Sequence, residues 1–327
     1  MKAALKRAFR ELPVDSRPTA LVDLPPYLNI GDSLIGLGQF SLLGARPGYL
    51  FVGSVPSDKV LNRIEALKGV VLLCGGGTFG TLWPQHQRLR ERIVSRCPNA
   101  TIVQLPQSVY FETPTAMVNS LEILQSHPDF HLMVRDQKSY DAVSHSSLSS
   151  VTLVPDAAFA LDPQTNRKPK NDIVFLSRTD HEKTHGCIIE DLRREFRSLN
   201  TSTIDWADWK SLGNTVNSYD FFLDYSILRL LRIFRTPRLS KSLWTSLFKL
   251  RLNLGARLLS LGKVIVTDRL HAHILCSITG KPHVFFDNNS RKISNYANTW
   301  NTLSEISIEA NSFRNAKNAI ERLLTLS

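Results

Sequence analysis

The sequence predicts an α/β protein made of two doubly wound halves. Three observations carry this: short buried runs alternate with amphipathic stretches, a polar break near the middle halts that alternation, and the same pattern then restarts. The first half covers residues 1–161, the polar linker residues 162–171, and the second half residues 172–327. Two such halves are expected to face each other across a cleft, with the loops at strand C-terminal ends lining it.

In the first half, Ala20–Val22, Tyr49–Val52, Val70–Cys74, Thr101–Val103, His131–Val134 and Val151–Val154 have the length and apolar continuity of buried strands. Asp32–Leu43, Ser57–Leu67, Pro84–Arg96, Thr115–Gln125 and Asp136–Val143 lie between them with helical spacing. Strands that alternate with helices need crossover connections, so the sheet is expected to be mainly parallel. The linker, DPQTNRKPKN, holds two prolines and no periodicity. Ile173–Leu176, Thr203–Ile204, Val264–Val266 and Val284–Phe286 then read as strands. Helices are expected at Cys187–Phe196, up to Leu261, from Leu270, and at Ser312–Leu324. The last is expected to pack back across the domain junction.

Composition bounds the function. The chain has 327 residues, of which 43% are hydrophobic and 21% charged, enough for two cores and against disorder. The first twenty residues are basic but carry no apolar stretch of the secretory kind. The weakly polar run Val70–Trp83 is too short for a membrane span. Cys74, Cys97, Cys187 and Cys276 are scattered without metal or redox spacing and read as reduced core thiols. These features favour the cytoplasm. The formal charge of +11 suits acidic small substrates, anionic lipid or nucleic acid. No nucleic-acid-binding signature accompanies the charge, so no nucleic acid partner is expected.

Four motifs stand at strand ends. Asn29-Ile30-Gly31-Asp32 follows the first strand, where Gly31 permits close backbone approach and Asp32 is placed as an N-cap. Gly75-Gly76-Gly77 follows the third strand, where bare backbone can meet an anion or a sugar ring, or simply form a tight turn. Arg135 ends the strand at Val134, and its planar fork suits a carboxylate or phosphate; the plainer alternative is a surface pair with Asp136. Thr267-Asp268-Arg269-Leu270-His271 runs from a buried strand into a helix, with Thr267 and Asp268 as candidate caps. Arg269 and His271 then fall in a first turn that favours anions. Histidine, with an ordinary pKa of about 6.5, exchanges protons near neutrality.

In this order and spacing the chain resembles the polysaccharide pyruvyl transferase family. The resemblance rests on Asn29–Asp32, Gly75–Gly77, Gln104-Leu105-Pro106, Arg135–Ser139, Pro155-Asp156, Arg178 with Asp180 and Glu182, and Thr267–His271. It implies two Rossmann-like domains arranged as in GT-B glycosyltransferases, with phosphoenolpyruvate as donor substrate and a sugar of an exopolysaccharide, or its lipid-linked repeat unit, as acceptor. His271 and Asp32 are the candidate catalytic pair. Arg135, Arg269 and Leu270 are the candidate donor-binding residues, with Asn29, Gly31, Gly75, Gly76, Gly77, Arg178 and Asp268 as secondary candidates. No metal-ligand cluster is evident, so neither metal nor cofactor is expected. The competing readings are a sugar-nucleotide-dependent glycosyltransferase and, from another class, a non-catalytic sugar-binding or membrane adaptor protein.

Residues 221–251 stand outside the family pattern as an insertion. From Tyr225 to Lys263 the chain has nine basic residues and no acidic one. Ile227, Leu230, Leu231 and Phe234 follow helical spacing, and Trp244, Leu247 and Phe248 add apolar bulk. Residues 225–251 are therefore expected to meet an anionic membrane surface, with the protein peripheral at its cytoplasmic face; the alternative is a core-packed helix with a basic outer side.

Overall fold

In the computed structural model, residues 1–14, 16–164, 168–178, 186–207, 218–233, 237–287 and 291–326 are described. The chain forms two compact units. The first comprises Met1–Tyr27, Ile35–Ala160 and Leu228–Thr245; the second comprises Leu28–Leu34, Leu161–Ile227 and Ser246–Ser327. The partition therefore differs from a single cut at residues 162–171: the turn at residues 28–34 groups with the C-terminal half, and residues 228–245 with the N-terminal half.

The first unit holds a seven-stranded parallel sheet of β1 (Thr19–Leu24), β2 (Tyr49–Val52), β3 (Val70–Leu73), β4 (Gly76–Gly80), β5 (Thr101–Tyr110), β6 (Phe130–Val134) and β7 (Ser150–Leu153). The strand order is β2-β1-β3-β5-β6-β7, with β4 paired to β5. The crossover helices are α2 (Ile30–Leu43), α3 (Asp58–Ala66), α4 (Pro84–Arg96), α5 (Pro114–Gln125) and α6 (Gln137–Val143), preceded by α1 (Lys2–Arg10). Ala20, Val22, Val71, Leu73, Ile102 and Leu132 bury one sheet face against Leu61, Ile64, Leu89, Ile93 and Leu124 of α3, α4 and α5. Strand alternation places every second residue on that face, which is why these runs read as continuously apolar.

β5 runs well beyond the expected Thr101–Val103. Pro106 interrupts it without ending it: the pairing with β6 shifts register between Gln104 and Gln107, a bulge where the proline has no N–H to give. β4 falls where the sequence offered a glycine loop for an anion or sugar, or a tight turn, and no strand was expected. Buried glutamines support this glycine strand, since Thr78 N donates to Gln107 Oε1 at 3.0 Å and Gly80 N to Gln87 Oε1 at 3.0 Å.

The second unit holds a five-stranded parallel sheet of β8 (Asn171–Leu176), β9 (Thr201–Ile204), β10 (Gly262–Thr267), β11 (His283–Phe285) and β12 (Ser307–Glu309), in the order β12-β11-β10-β8-β9. Its helices include α7 (Gly186–Glu195), α10 (Leu270–Thr279), α11 (Lys292–Trp300) and α12 (Phe313–Leu326). Ala316, Ala319, Ile320 and Leu323 of α12 join Ile173, Phe175, Val264 and Val266 in one core. The last helix thus spends its apolar face within the second unit, in place of the expected return across the junction.

The insertion is helical: α8 (Ser218–Ile233) and α9 (Pro237–Ser260). It departs from the expected basic surface segment. Trp244, Leu247 and Phe248 are core residues. Arg251 is buried in a two-bond ion pair with Asp224, at 2.7 and 3.1 Å, and Arg257 pairs with Asp220. Lys241 donates to the Gly44 and Arg46 carbonyls, and Lys263 pairs with Asp172. Phe234 and Arg235 lie outside the described residues, as do the side chains of Arg232 and Arg238.

Cys74, Cys97 and Cys276 are buried free thiols, and burial pushes Cys97 up to about 11. The Cys187 side chain lies outside the described set. Among the described residues no helix is long and apolar enough to cross a membrane.

Candidate functional site

In the second sheet, β9 lies on one side of β8 and β10 on the other, so the chain reverses its winding between β8 and β10. Adjacent strand ends diverge at such a switch point, and ligands of open α/β sheets bind there. β8 ends in Ser177 and Arg178, and β10 ends in Asp268 and Arg269. The Arg178 N–H donates to Asp268 Oδ1 at 2.9 Å, tying the two strand ends together. Thr267 and Asp268 do not cap the following helix as expected. Thr267 Oγ1 donates to Leu176 O at 2.7 Å and accepts the Arg269 N–H at 3.1 Å, so it braces the strand exit. The cap position of α10 is Arg269 itself, with extended backbone, followed by Leu270 and His271 in the first turn. Burial pushes the Asp268 carboxyl above its ordinary value, against the Arg178 N–H and the charges of Arg269 and Arg178.

Arg269 is 5% exposed and bonds Asp205, just beyond β9, at 2.5 Å. This carboxylate, at the strand end on the far side of β8, orients the guanidinium. Asp205 was missed in the sequence, although an acid directly after a strand is a legible signal.

Gly31 packs on His271. A Cβ built on Gly31 falls 2.6 Å from His271 Nδ1 and 3.1 Å from its Cβ, so no side chain fits there while the ring keeps its place. Asn29 caps α2: its Oδ1 accepts the Gly31 N–H at 2.9 Å, and its carbonyl accepts from Ser33 Oγ at 2.8 Å. Asp32 is therefore not the cap. It sits half-buried in the first turn of α2, in the same unit as His271, where the sequence had placed it on the opposite domain. Arg251 Nη1 donates to Ser33 Oγ at 3.2 Å, and Gly255 lets α9 approach Ile30, a built Cβ lying 2.8 Å from Ile30 Cγ2. The insertion thus braces the turn that faces His271. Asn29, Gly31, Asp32, Arg178, Asp268, Arg269, Leu270 and His271 all belong to the second unit. Asp180 and Glu182 lie outside the described residues.

The remaining candidates lie in the first unit. Arg135 is 1% exposed and is not the surface partner of Asp136. Its Nε donates to Ser108 Oγ at 3.0 Å and its Nη1 to Asp156 at 2.5 Å, which joins two motifs that the sequence kept apart. Asp136 caps α6 by accepting the Ser139 N–H at 2.9 Å, and it also accepts from Ser108 Oγ at 2.6 Å. Gly75, Gly76 and Gly77 follow β3 at the first sheet's own switch point, between β1 and β3. Gln104 and Gln107 both donate to the Cys74 carbonyl, at 2.9 and 3.0 Å, pinning the loop from below. A Cβ on Gly75 would meet Pro106 O at 2.6 Å, so this glycine serves a close backbone approach.

Sequence reasoning missed a second polar pair at that switch point. Asp23, the next-to-last residue of β1, has φ of 73°, rare for a residue with a side chain, and its Oδ2 lies 2.6 Å from His86 Nδ1 in the first turn of α4. Among the described residues, no group of three or more His, Cys, Asp or Glu side chains is placed to hold a metal ion.

Two α/β units, each built on a parallel sheet, make a GT-B-like two-domain fold. The model of the family described as polysaccharide pyruvyl transferase matches residues 29–290, and the chain belongs to that family. Pyruvyl transferase 1 of Schizosaccharomyces pombe is 28% identical over 306 residues, covering 87% of this chain and 70% of its own. The putative pyruvyl transferase EpsO of Bacillus subtilis is 29% identical over 280 residues, covering 85% and 84%. Among solved structures, a functionally uncharacterized protein from Klebsiella pneumoniae superposes with a TM-score of 0.56 at 16% identity, over 94% of this chain and 96% of its own. A glycosyltransferase from Rickettsia africae gives 0.51 at 12% identity, over 95% and 89%. At these identities the structural likeness speaks for the fold alone.

Proposed function

We propose that the protein transfers a pyruvyl group from phosphoenolpyruvate to two hydroxyls of one sugar in an exopolysaccharide or its lipid-linked repeat unit, in the cytoplasm. The observation that supports this most is the packing of the Asn29–Ser33 turn on His271, beside Arg269 and the start of α10. That arrangement supplies an anion holder, a proton donor and a second acid–base group within one unit.

In the reaction, C3 of the donor gains a proton and C2 becomes electrophilic. One sugar hydroxyl adds to C2, the second hydroxyl displaces phosphate, and a ketal closes. Of the two hydroxyl protons, one balances the proton gained at C3 and the other leaves with phosphate. Arg269, the Leu270 amide and the positive end of α10 suit a phosphate or carboxylate. In the first unit the candidate anion holder is Arg135, its plane set by Asp156 and Ser108. His271 delivers the proton to C3, and Asp32 takes one from the attacking hydroxyl. Arg178 and Asp268 hold the strand ends on which Arg269 stands, and Gly75–Gly77 offer bare backbone to the acceptor. None of these steps calls on a metal.

Titration calorimetry tests the donor site. Phosphoenolpyruvate is expected to bind equally with and without a chelator. Arg269→Ala and Arg135→Ala should each weaken it by about 1.5–3 kcal/mol, the worth of a charge-assisted hydrogen bond. Absence of binding, or binding that needs a divalent ion, contradicts the proposal.

A further inference from the structure

Helix α8 is turned inside out. Asp220 and Asp224, one helical turn apart, are 6% and 2% exposed and face inward to Arg257 and Arg251 of α9. On the outward side Tyr219, Phe221, Phe222 and Tyr225 are 65%, 50%, 63% and 58% exposed. At 100° per residue, Phe222, Tyr225 and Arg229 share one face, roughly opposite the two acids. Arg229 is exposed on it, and Leu230 beside it is 38% exposed. An ordinary surface helix buries its apolar residues and shows its charges. Here four aromatic residues are exposed on one helix, and exposed aromatic surface of this kind marks an interaction surface.

The charge on this face selects the occupant. The helix's two acids are turned inward and neutralised by arginine, so the described charge left on the outward face is the cation Arg229. No acidic residue follows until beyond Lys263. Phenylalanine and tyrosine rings beside arginine match the boundary between lipid headgroups and acyl chains, where rings enter and the guanidinium meets phosphate.

We infer that α8 docks the protein on an anionic phospholipid surface through Phe222, Tyr225 and Arg229, with Tyr219 and Phe221 at the rim. This shifts the expected membrane contact from the whole of residues 225–251, whose Arg251 is spent in a buried ion pair, to the outward face of α8, which begins before that stretch and shares only Tyr225 and Arg229 with it. The inference does not depend on the chemistry proposed above.

Flotation of the full chain with phosphatidylcholine vesicles, with and without phosphatidylglycerol, tests it. Binding is expected only to the phosphatidylglycerol vesicles and should weaken as salt is raised. Arg229→Glu is expected to weaken it on the order of tenfold, from the typical contribution of one basic residue near anionic lipid. Phe222→Ser combined with Tyr225→Ser should abolish flotation. Circular dichroism and calorimetric phosphoenolpyruvate binding should stay at wild-type values in both variants, so a failed donor assay reports separately on the proposed reaction. Equal binding to neutral vesicles, no binding to either, or unchanged binding by the variants overturns the inference. So does a wild-type dimer in sedimentation that becomes monomeric in the Phe222/Tyr225 variant without any vesicle binding, since a second copy then covers the face.

Discussion

Replacing His271 by Ala is expected to lower turnover by about 10²–10⁴-fold, the usual contribution of a positioned acid–base group. Donor affinity and the thermal midpoint should stay close to those of the parent. The expectation follows from placement: His271 is half-buried in the first turn of α10, not in the core, and the anion contacts are proposed to fall to Arg269 beside it. Gly31→Ala offers a second route to the same atom. Its added methyl would stand 2.6 Å from His271 Nδ1, so the ring must move. A ring moved by about 1 Å commonly costs on the order of a hundredfold in rate. Phosphate release under saturating donor, with calorimetry on the same samples, separates lost chemistry from lost binding. Full activity in His271→Ala would reduce this histidine to a packing residue.

The second large effect concerns acid. His273 and His283 are fully buried and joined in a chain with one consistent set of protons. His283 Nδ1 donates to the Lys281 carbonyl at 2.9 Å, His273 Nδ1 donates to His283 Nε2 at 2.9 Å, and Thr302 Oγ1 donates to His273 Nε2 at 2.8 Å. Both rings are neutral in this arrangement, with Ser307 Oγ a further partner of His283 Nε2 at 3.1 Å. Burial pushes His283 down to about 4 and His273 well below its ordinary value, the latter also through repulsion from His283.

Because the folded values lie below those of the unfolded chain, the unfolded state binds more protons between them. The stabilisation is therefore fully present above about pH 6.5 and is lost as pH falls toward 4. Each histidine contributes a slope of about 1.4 kcal/mol per pH unit in that window. Asp268, pushed up by burial, has the opposite sign and offsets part of the loss at the acid end. Urea unfolding across pH 4.5–7.5 should show stability dropping below pH 6.5. A flat profile would mean that these rings are not held neutral.

Much of this organisation was legible in the sequence for a physical reason. Strands of parallel sheets are buried on both faces, so Val70–Leu73, Leu132–Val134 and Val264–Val266 stand out as continuous apolar runs. Arg269, Leu270 and His271 were legible because a strand passes directly into a helix there. β4 was hidden because its glycines carry no strand preference of their own and depend on Gln87 and Gln107 from elsewhere in the chain. The Asp205 and Asp224 pairings were hidden for a related reason: their arginines lie 64 and 27 residues away, and periodicity carries no information about such pairs. Asp32 was assigned the cap because it stands nearest the apolar run, yet Asn29 takes that role and leaves Asp32 for other use. The basic insertion misled by its count: Arg251 and Arg257 neutralise buried acids that precede the stretch counted.

The most direct measurement of the central claim is incubation of the purified protein with phosphoenolpyruvate and candidate galactosides, glucosides and mannosides, free and lipid-linked. Phosphate release and product mass are recorded together. The account predicts phosphate released in step with a product that carries one pyruvyl ketal, without added metal, and neither signal from His271→Ala. Glycosyl transfer from a sugar nucleotide, with phosphoenolpyruvate left intact across all acceptors, would contradict it.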